Sequence, residues 1–381
     1  MAEPPRKRKH VAPPAPPAPP APPPPPPPPA TGDGDAGLGL GPGPWTLPSG
    51  TRVARNEEHS SDDYVHYDVA VRSLDDLIAL SRFREGCPAG SNIQFAALRR
   101  LAGPLRALQD MVGVADVKRM VFEMCVFQMQ KLERHDGFLH AVVTGNPGVG
   151  KTKLIRILAE VYAGLGVLRK GHIVWTKRAD LIGQFLGQTA AKTQAVVDRA
   201  RDGVLVIDEA YSLGSEEGRD IYSKECLDTL NAALSEDRAS FVCVIAGYAD
   251  EIQKCFFAVN PGLERRFPYR FAIADYGPAE LSAIFQQLAR AGGWRLAGDA
   301  VGAPDFFEER RAYFRYGGGD VETVLAQAKV QHAVRVFSAH RRDKKCLTRA
   351  DLEAGFDAFT RAKHVRERGE CATPAHAMMY I

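Results

Sequence analysis

The chain has 381 residues, 45% of them hydrophobic, and its 49 Lys and Arg against 46 Asp and Glu leave a net charge of +3. A charge so near balance provides no global field for a nucleic-acid or membrane partner, and no apolar run reaches membrane-spanning length. The N-terminus lacks the apolar core of a secretory signal, so a soluble protein of the nucleus or cytoplasm is expected.

Residues 1–60 hold most of the 27 prolines, with a nearly unbroken Pro/Ala run from Pro13 to Ala30 and a Gly-rich stretch to Pro48. Such a segment cannot bury enough apolar surface to offset the entropy of ordering it, so a disordered tail is expected. Within it, Arg6-Lys7-Arg8-Lys9-His10 reads either as a nuclear import signal on a flexible arm or as a solvated charge run. Residues 61–110 read as a helical extension. Ser73 is a cap residue before an acidic first turn, and Leu74, Leu77 and Ile78 recur at helical spacing. A second helix is predicted from Ile93 to Leu108, interrupted at Gly103-Pro104, and a third from Val114 to Leu132.

Over residues 111–274, short β-rich runs alternate with helical ones. The runs are Leu139–Val143, His172–Trp175, Val204–Ile207, Phe241–Ile245 and Tyr269–Ile273. That alternation predicts an α/β fold, a parallel sheet covered by helices on both faces. After Asp275 the strand signals stop. Pro278–Leu288, Asp320–Phe337 and Thr348–Phe359 are helical in period, so residues 275–363 read as an all-α appendix and 364–381 as a tail. The seven cysteines (Cys87, Cys125, Cys226, Cys243, Cys255, Cys346, Cys371) are scattered without a C-x-x-C pair. They read as small hydrophobes in a reducing compartment, not as a disulfide framework or zinc site.

Between the Leu139–Val143 run and the helical pattern Leu154–Ala163 stands Gly145-Asn146-Pro147-Gly148-Val149-Gly150-Lys151-Thr152. This is a complete G-x-x-x-x-G-K-[ST] phosphate loop in its strand–loop–helix setting. The glycines let successive backbone N–H groups turn inward onto a β-phosphate. Lys151 adds charge between the β- and γ-phosphates, and the Thr152 hydroxyl is a magnesium ligand. The chain therefore binds a nucleoside triphosphate.

Val204-Leu205-Val206-Ile207-Asp208-Glu209 is a buried strand ending in two carboxylates, far enough beyond Lys151 for a helix, a strand and another helix. Asp208 is placed to hold the magnesium ion, and Glu209 to orient and deprotonate the attacking water. Leu181 to Thr189 is a Gly-containing loop around Phe185, which is either a core residue or an exposed binding tip. Asn260-Pro261-Gly262-Leu263-Glu264-Arg265-Arg266-Phe267 carries paired arginines before the last strand. They read either as a surface ion pair or as charge supplied to a neighbouring subunit's γ-phosphate.

These motifs, with Arg178–Thr193, Gly203–Leu213 and Val244–Tyr248 in this order, closely resemble the AAA+ ATPases of the CbbX / stage V sporulation protein K type. The resemblance covers about Leu108 to Leu288. It implies a P-loop αβα nucleotide domain with a helical lid, assembled into a ring, usually a hexamer, with ATP and Mg2+ between subunits. Phe185, Leu186 and Gly187 are then the pore loop that grips a protein client. Arg266 is the finger acting in trans, with Arg265 as its understudy, and Met111-Val112-Gly113-Val114 is the segment that packs on adenine. Rubisco activators occur in this family, but the motifs do not carry that client over.

Two departures stand out. Where the family's lid has an arginine in a GNxR-type helix start, this chain has Gly317-Gly318-Gly319-Asp320, with Asp320 read as a helix N-cap. The fourth strand ends in Ala246-Gly247-Tyr248, without the Asn or Thr that positions water in many relatives, and the Tyr248 hydroxyl is a candidate replacement. The proline tail and Asp62–Leu108 are similar to versions carried by large DNA viruses or eukaryotes. The leading expectation is an ATP-driven ring that remodels or threads a protein. The alternatives are a nucleic-acid motor or clamp-loader-like ATPase, although the core has no basic helix or aromatic-interleaved basic patch, and an ATP-binding platform without useful turnover.

Overall fold

The computed structural model describes residues 45–61, 63–83, 90–131, 139–185, 187–214, 220–236, 240–258, 260–298, 301–337, 344–362 and 365–368. Most of the expected tail, including the Arg6–His10 cluster, and Leu186 of the expected pore loop lie outside them. So do Cys87 and Cys371.

The central sheet is made of β5 (Ala141–Thr144), β6 (Ile173–Thr176), β7 (Val204–Ile207), β8 (Val242–Gly247) and β9 (Tyr269–Ala272). All neighbours run parallel in the order β6-β7-β8-β5-β9. Every residue of β7 and β8 is buried, as a central strand with both faces covered requires. The period of two then divides their side chains between two cores. Val143, Val204, Val206, Val242 and Val244 face one cluster; Val142, Leu205, Ile207, Cys243 and Ile245 face the other. Full burial of each such side chain contributes roughly 1.5–3 kcal/mol.

An N-terminal unit precedes this sheet: β1 (Trp45–Thr46), β2 (Arg52–Ser61), β3 (Tyr64–Asp68), α1 (Leu74–Leu80), β4 (Gly90–Ser91), α2 (Phe95–Gln109) and α3 (Ala115–Gln130). Its four strands form one sheet in chain order. This corrects two expectations, a tail reaching residue 60 and a purely helical stretch from 61 to 110. The reason is plain in β2, where Val53 is the one buried residue and the other positions are polar or exposed. A strand with one buried residue leaves no period-two signal. The sheet is closed instead by Trp45, Tyr67, Phe83 and Phe95, whose rings lie 5.2–5.5 Å apart.

A second correction concerns Gly103-Pro104, which does not interrupt α2: the helix runs through with Pro104 buried inside it. Leu101, Leu105 and Leu108 are fully buried. Packing of α2 on α4 (Lys151–Leu165) thus overrides the local cost of proline. The remaining elements of the nucleotide domain are α5 (Arg178–Leu181), α6 (Thr189–Arg199), α7 (Ile221–Glu236), α8 (Ala249–Glu251) with a π turn at Ile252–Phe257, and α9 (Pro261–Glu264).

The lid comprises α10 (Pro278–Ala291), α11 (Pro304–Glu308), α12 (Gly317–Arg335) and α13 (Arg349–Thr360) around an aromatic core of Phe285, Phe306, Phe307, Phe314, Phe356 and Phe359. It is not wholly helical: β10 (Arg295–Leu296) and β11 (Cys346–Leu347) pair in parallel, two residues each. Residues 365–368, expected within a tail, form a helical turn with Val365 buried.

The Asp76 carboxylate holds the N-terminal unit together. It is fully buried and accepts hydrogen bonds from the backbone of Ser49, Arg72 and Ser73. Burial raises its pKa, but these bonds outweigh the burial and leave it below the usual Asp range. A depressed carboxyl stabilises the fold above its unfolded value and loses that contribution as pH falls through its folded one. Asp76→Ala is therefore expected to lower the unfolding free energy by about 3 kcal/mol at pH 7. In urea titrations the gap from wild type should narrow as pH falls below about 4. A gap that is unchanged in acid contradicts this account.

Candidate active site

Three glycines shape the phosphate loop. Gly145, Gly148 and Gly150 all have positive φ (152°, 78° and 96°), which side-chain-bearing residues rarely adopt. At Gly148 a Cβ would also collide with the carbonyl of Tyr316 in the lid. α4 begins at Lys151, so the N-terminal N–H groups of a 15-residue helix open onto the loop. The Lys151 ammonium turns back, donating to the carbonyls of Gly145 (2.6 Å) and Asn146 (2.9 Å). Burial lowers its pKa and the charge of Asp208 partly restores it.

β7 delivers the acidic pair. Asp208 follows its last residue, and the Asp208 N–H donates to Thr176 on β6 at 2.9 Å. Glu209 takes a left-handed conformation (φ 54°, ψ 43°), uncommon for a residue with a side chain, and its N–H donates to the Asp208 carboxylate at 3.1 Å. Glu209 is exposed.

Pro147 to Thr152, Asp208 and Glu209 line one cavity of about 550 Å³, a volume suited to a nucleotide. Met111 and Val112 wall it on one side; Ile284, Leu288, Gly318 and Gly319 of the lid wall it on another. Gly113 packs instead against Glu280 and Tyr276. Gly145 and Asn146 stand at the foot of the loop, where the Asn146 amide donates to both oxygens of Asp275 (2.8 and 2.9 Å).

The cleft fits a magnesium nucleotide. The glycine-rich loop and Lys151 suit phosphates, while the Thr152 hydroxyl and Asp208 carboxylate are two hard oxygen donors. No cluster of three or more His, Cys, Asp or Glu able to hold a metal occurs among the described residues.

The comparisons with known proteins agree with this geometry. The family model for ATPases associated with various cellular activities (AAA) matches residues 141–272. A cfxQ-like protein of Acanthamoeba polyphaga mimivirus is 38% identical over 294 residues, 76% of this chain and 72% of that protein. The chain belongs to the AAA+ ATPases of the CbbX / stage V sporulation protein K type. Two further relatives are the chloroplastic ribulose bisphosphate carboxylase/oxygenase activase of Cyanidioschyzon merolae and stage V sporulation protein K of Bacillus subtilis. The first is 33% identical over 60% of this chain and 77% of its own length, the second 34% over 51% and 62%. The protein is accordingly an ATP hydrolase with the AAA+ fold.

Other positions singled out in this AAA+ ATPase lie away from the cavity. Phe185 is 66% exposed at the tip of its loop, and Gly187 has φ 82°. Arg265 is exposed and has no polar partner among the described residues. Arg266 folds onto its own subunit, donating to Ser235 Oγ (2.9 and 2.6 Å) and the Gly262 carbonyl (2.5 Å). Asp320 is not the N-cap of α12 as expected. It lies in the first turn, reaches back to accept from the Tyr316 N–H (2.7 Å), and pairs with Arg368 at 2.9 Å. No helix among the described residues is long and apolar enough to cross a membrane.

Two residues that sequence reasoning missed connect these parts. The Arg178 guanidinium donates to the Ser212 carbonyl (2.6 Å) and Ser223 Oγ (2.7 Å) and pairs with Asp220. It thereby ties the base of the Phe185 loop to the turn after Glu209. Burial raises the Asp220 carboxyl, but the Arg178 and Ser223 hydrogen bonds and the Arg178 charge bring it down to about 2. The Tyr276 hydroxyl, at the hinge between β9 and α10, donates to the Val149 carbonyl of the phosphate loop at 2.6 Å. An aromatic hydroxyl directly after the last strand was the available signal. Tyr276→Phe should weaken binding of a fluorescent ATP analogue about 3–10-fold, one hydrogen bond's worth, while the melting temperature moves by a few degrees at most. Affinity within twofold of wild type would show that the hinge and the loop are uncoupled.

Proposed function

We propose that this AAA+ ATPase binds ATP with Mg2+ in the cleft, hydrolyses it within a ring of identical subunits, and uses the cycle to remodel or thread a protein client. The observation that carries this reading is the convergence of Lys151, Thr152, Asp208 and Glu209 on one cavity that the lid helps to line.

Lys151 exchanges the Gly145 and Asn146 carbonyls for the β- and γ-phosphates, a change favoured by the greater strength of charge-assisted bonds. Magnesium, when bound, neutralises charge developing on the phosphates, with Thr152 and Asp208 as its protein ligands. Glu209 accepts the proton of the attacking water. Arginine from the adjacent subunit stabilises the γ-phosphate in the transition state. Arg265, exposed, is free to reach across. Arg266 can act in trans only after releasing Ser235, and otherwise holds the arginine turn against α7. Adenine packs on Val112 beside Gly113.

The Phe185-Leu186-Gly187 tip is the client-gripping element. A large exposed aromatic has little reason to sit in water unless it meets a partner. The name of the Cyanidioschyzon merolae relative gives its target as an enzyme, which supports a protein client here without naming it.

Glu209→Gln should bind ATP normally, lose at least about 100-fold in turnover, and accumulate as a ring by light scattering. A monomer at saturating Mg-ATP would end the ring reading. Client retained by this trapped form should be lost when Phe185→Ala is added, with Phe185→Ala alone hydrolysing ATP within about twofold of wild type. Equal loss of hydrolysis and retention would argue against threading.

A further inference from the structure

The segment between α2 and α3, Asp110–Val114, has an uncommon backbone. Gly113 and Val114 are both left-handed, at φ 67° and 52°. For a β-branched residue such as Val114 that conformation is a steric outlier, and it persists only where the surroundings impose it. Met111 and Val112 of the same segment wall the nucleotide cavity.

Two side chains brace the segment by taking three successive carbonyls. Lys118 Nζ, from α3, donates to the carbonyls of Gln109 (2.9 Å) and Met111 (2.8 Å). The carbonyl between them, that of Asp110, accepts from Gln287 Nε2 at 2.8 Å. Lys118 follows the segment directly in the chain, whereas Gln287 stands on α10 of the lid. Glu280, Ile284 and Gln287 recur at i, i+4 and i+7 on α10 and so share one face. Glu280 approaches Gly113 so closely that a Cβ there would come within 2.5 Å of its carboxylate, while Ile284 and Gln287 line the cavity with Met111 and Val112. That face of α10 thus meets the segment at Asp110 and again at Gly113. The bond to Asp110 is the one hydrogen bond of the Gln287 side chain among the described residues.

Resting on the proposed placement of adenine at Val112, we propose that Gln287 is a positioning residue for the nucleobase. By holding the Asp110 carbonyl, it makes the base-receiving shape of Asp110–Val114 depend on where the lid sits. Lys118 fixes the two flanking carbonyls wherever the lid is, so the middle carbonyl is the one through which lid position is felt. The phosphates are held elsewhere, by the phosphate loop and Lys151. Loss of the Gln287 donor therefore loosens the hold on the base and leaves the hold on the phosphates.

Competition of ADP, and of inorganic diphosphate, against a fluorescent ATP analogue separates the two ends of the cleft in the full chain with Mg2+. Gln287→Met keeps the length and loses the donor; Gln287→Glu keeps the shape and sets an acceptor against the carbonyl. Both should bind ADP about 3–10-fold more weakly, with Gln287→Glu at least as weak as Gln287→Met. Diphosphate affinity should stay within twofold of wild type and the melting temperature nearly unchanged, a split that a merely structural role would not produce. ADP affinity within twofold of wild type in Gln287→Met overturns the inference and leaves the nucleotide cleft standing. Equal loss of ADP and diphosphate also overturns it, because Gln287 then serves the lid as a whole. A wild-type protein that binds diphosphate as tightly as ADP overturns the placement of a base at Val112 together with this inference.

Discussion

At Gly148 the lid and the phosphate loop approach so closely that the glycine has no room for a side chain, and the atoms it would strike are backbone atoms of Tyr316. Backbone on backbone cannot yield by changing rotamer. Any nucleotide that spreads the loop must therefore displace the start of α12, and any closure of the lid must press on the loop. Tyr276 reinforces the link through its bond to Val149. The hinge, the loop and the lid are thus in direct contact, which under the proposed function is what turning phosphate chemistry into motion requires.

A second linkage runs from the carboxylates toward Phe185. Glu209 opens the turn that contains Tyr211 and Ser212, and Arg178 grips the Ser212 carbonyl while its own helix, α5, leads into the Phe185 loop. Lys192 adds a clamp on the Ala179 and Ile182 carbonyls at 2.6 and 2.9 Å. The base of the loop is thereby braced by charge-assisted bonds while its tip stays exposed. Under the proposed function, braced feet under an exposed tip would let a shift at Glu209 reach Phe185 as a displacement.

How much of this was legible depended on where the physical demand sat. The phosphate loop was readable because its backbone needs glycine at fixed places, and β7 because a strand buried on both faces admits only apolar residues. β2 was not, since its buried face amounts to Val53 and the unit is held by aromatics from distant segments. Pro104 misled because local propensity lost to the packing of α2 on α4. Gln287 and Arg178 escaped notice because nothing in their spacing distinguishes a surface amide or arginine from one aimed at the site. Only the fold brings Gln287 onto Asp110, or Arg178 beneath Ser212.

The lid start bears on how charge is balanced during hydrolysis. Without an arginine there, α12 lines the cavity with Gly318, Gly319 and the acidic Glu322. Asp320, the residue after Gly319, would oppose phosphate if its charge reached the cleft. Instead Arg368 pairs with it in a contact where the two side chains are only 9% and 8% exposed. Under the proposed mechanism, positive charge at the γ-phosphate then comes from Lys151 within the subunit and from Arg265 or Arg266 of a neighbour. A subunit alone would lack half of that charge. Under that mechanism hydrolysis depends on assembly, because the described lid residues that line the cavity include no arginine or lysine.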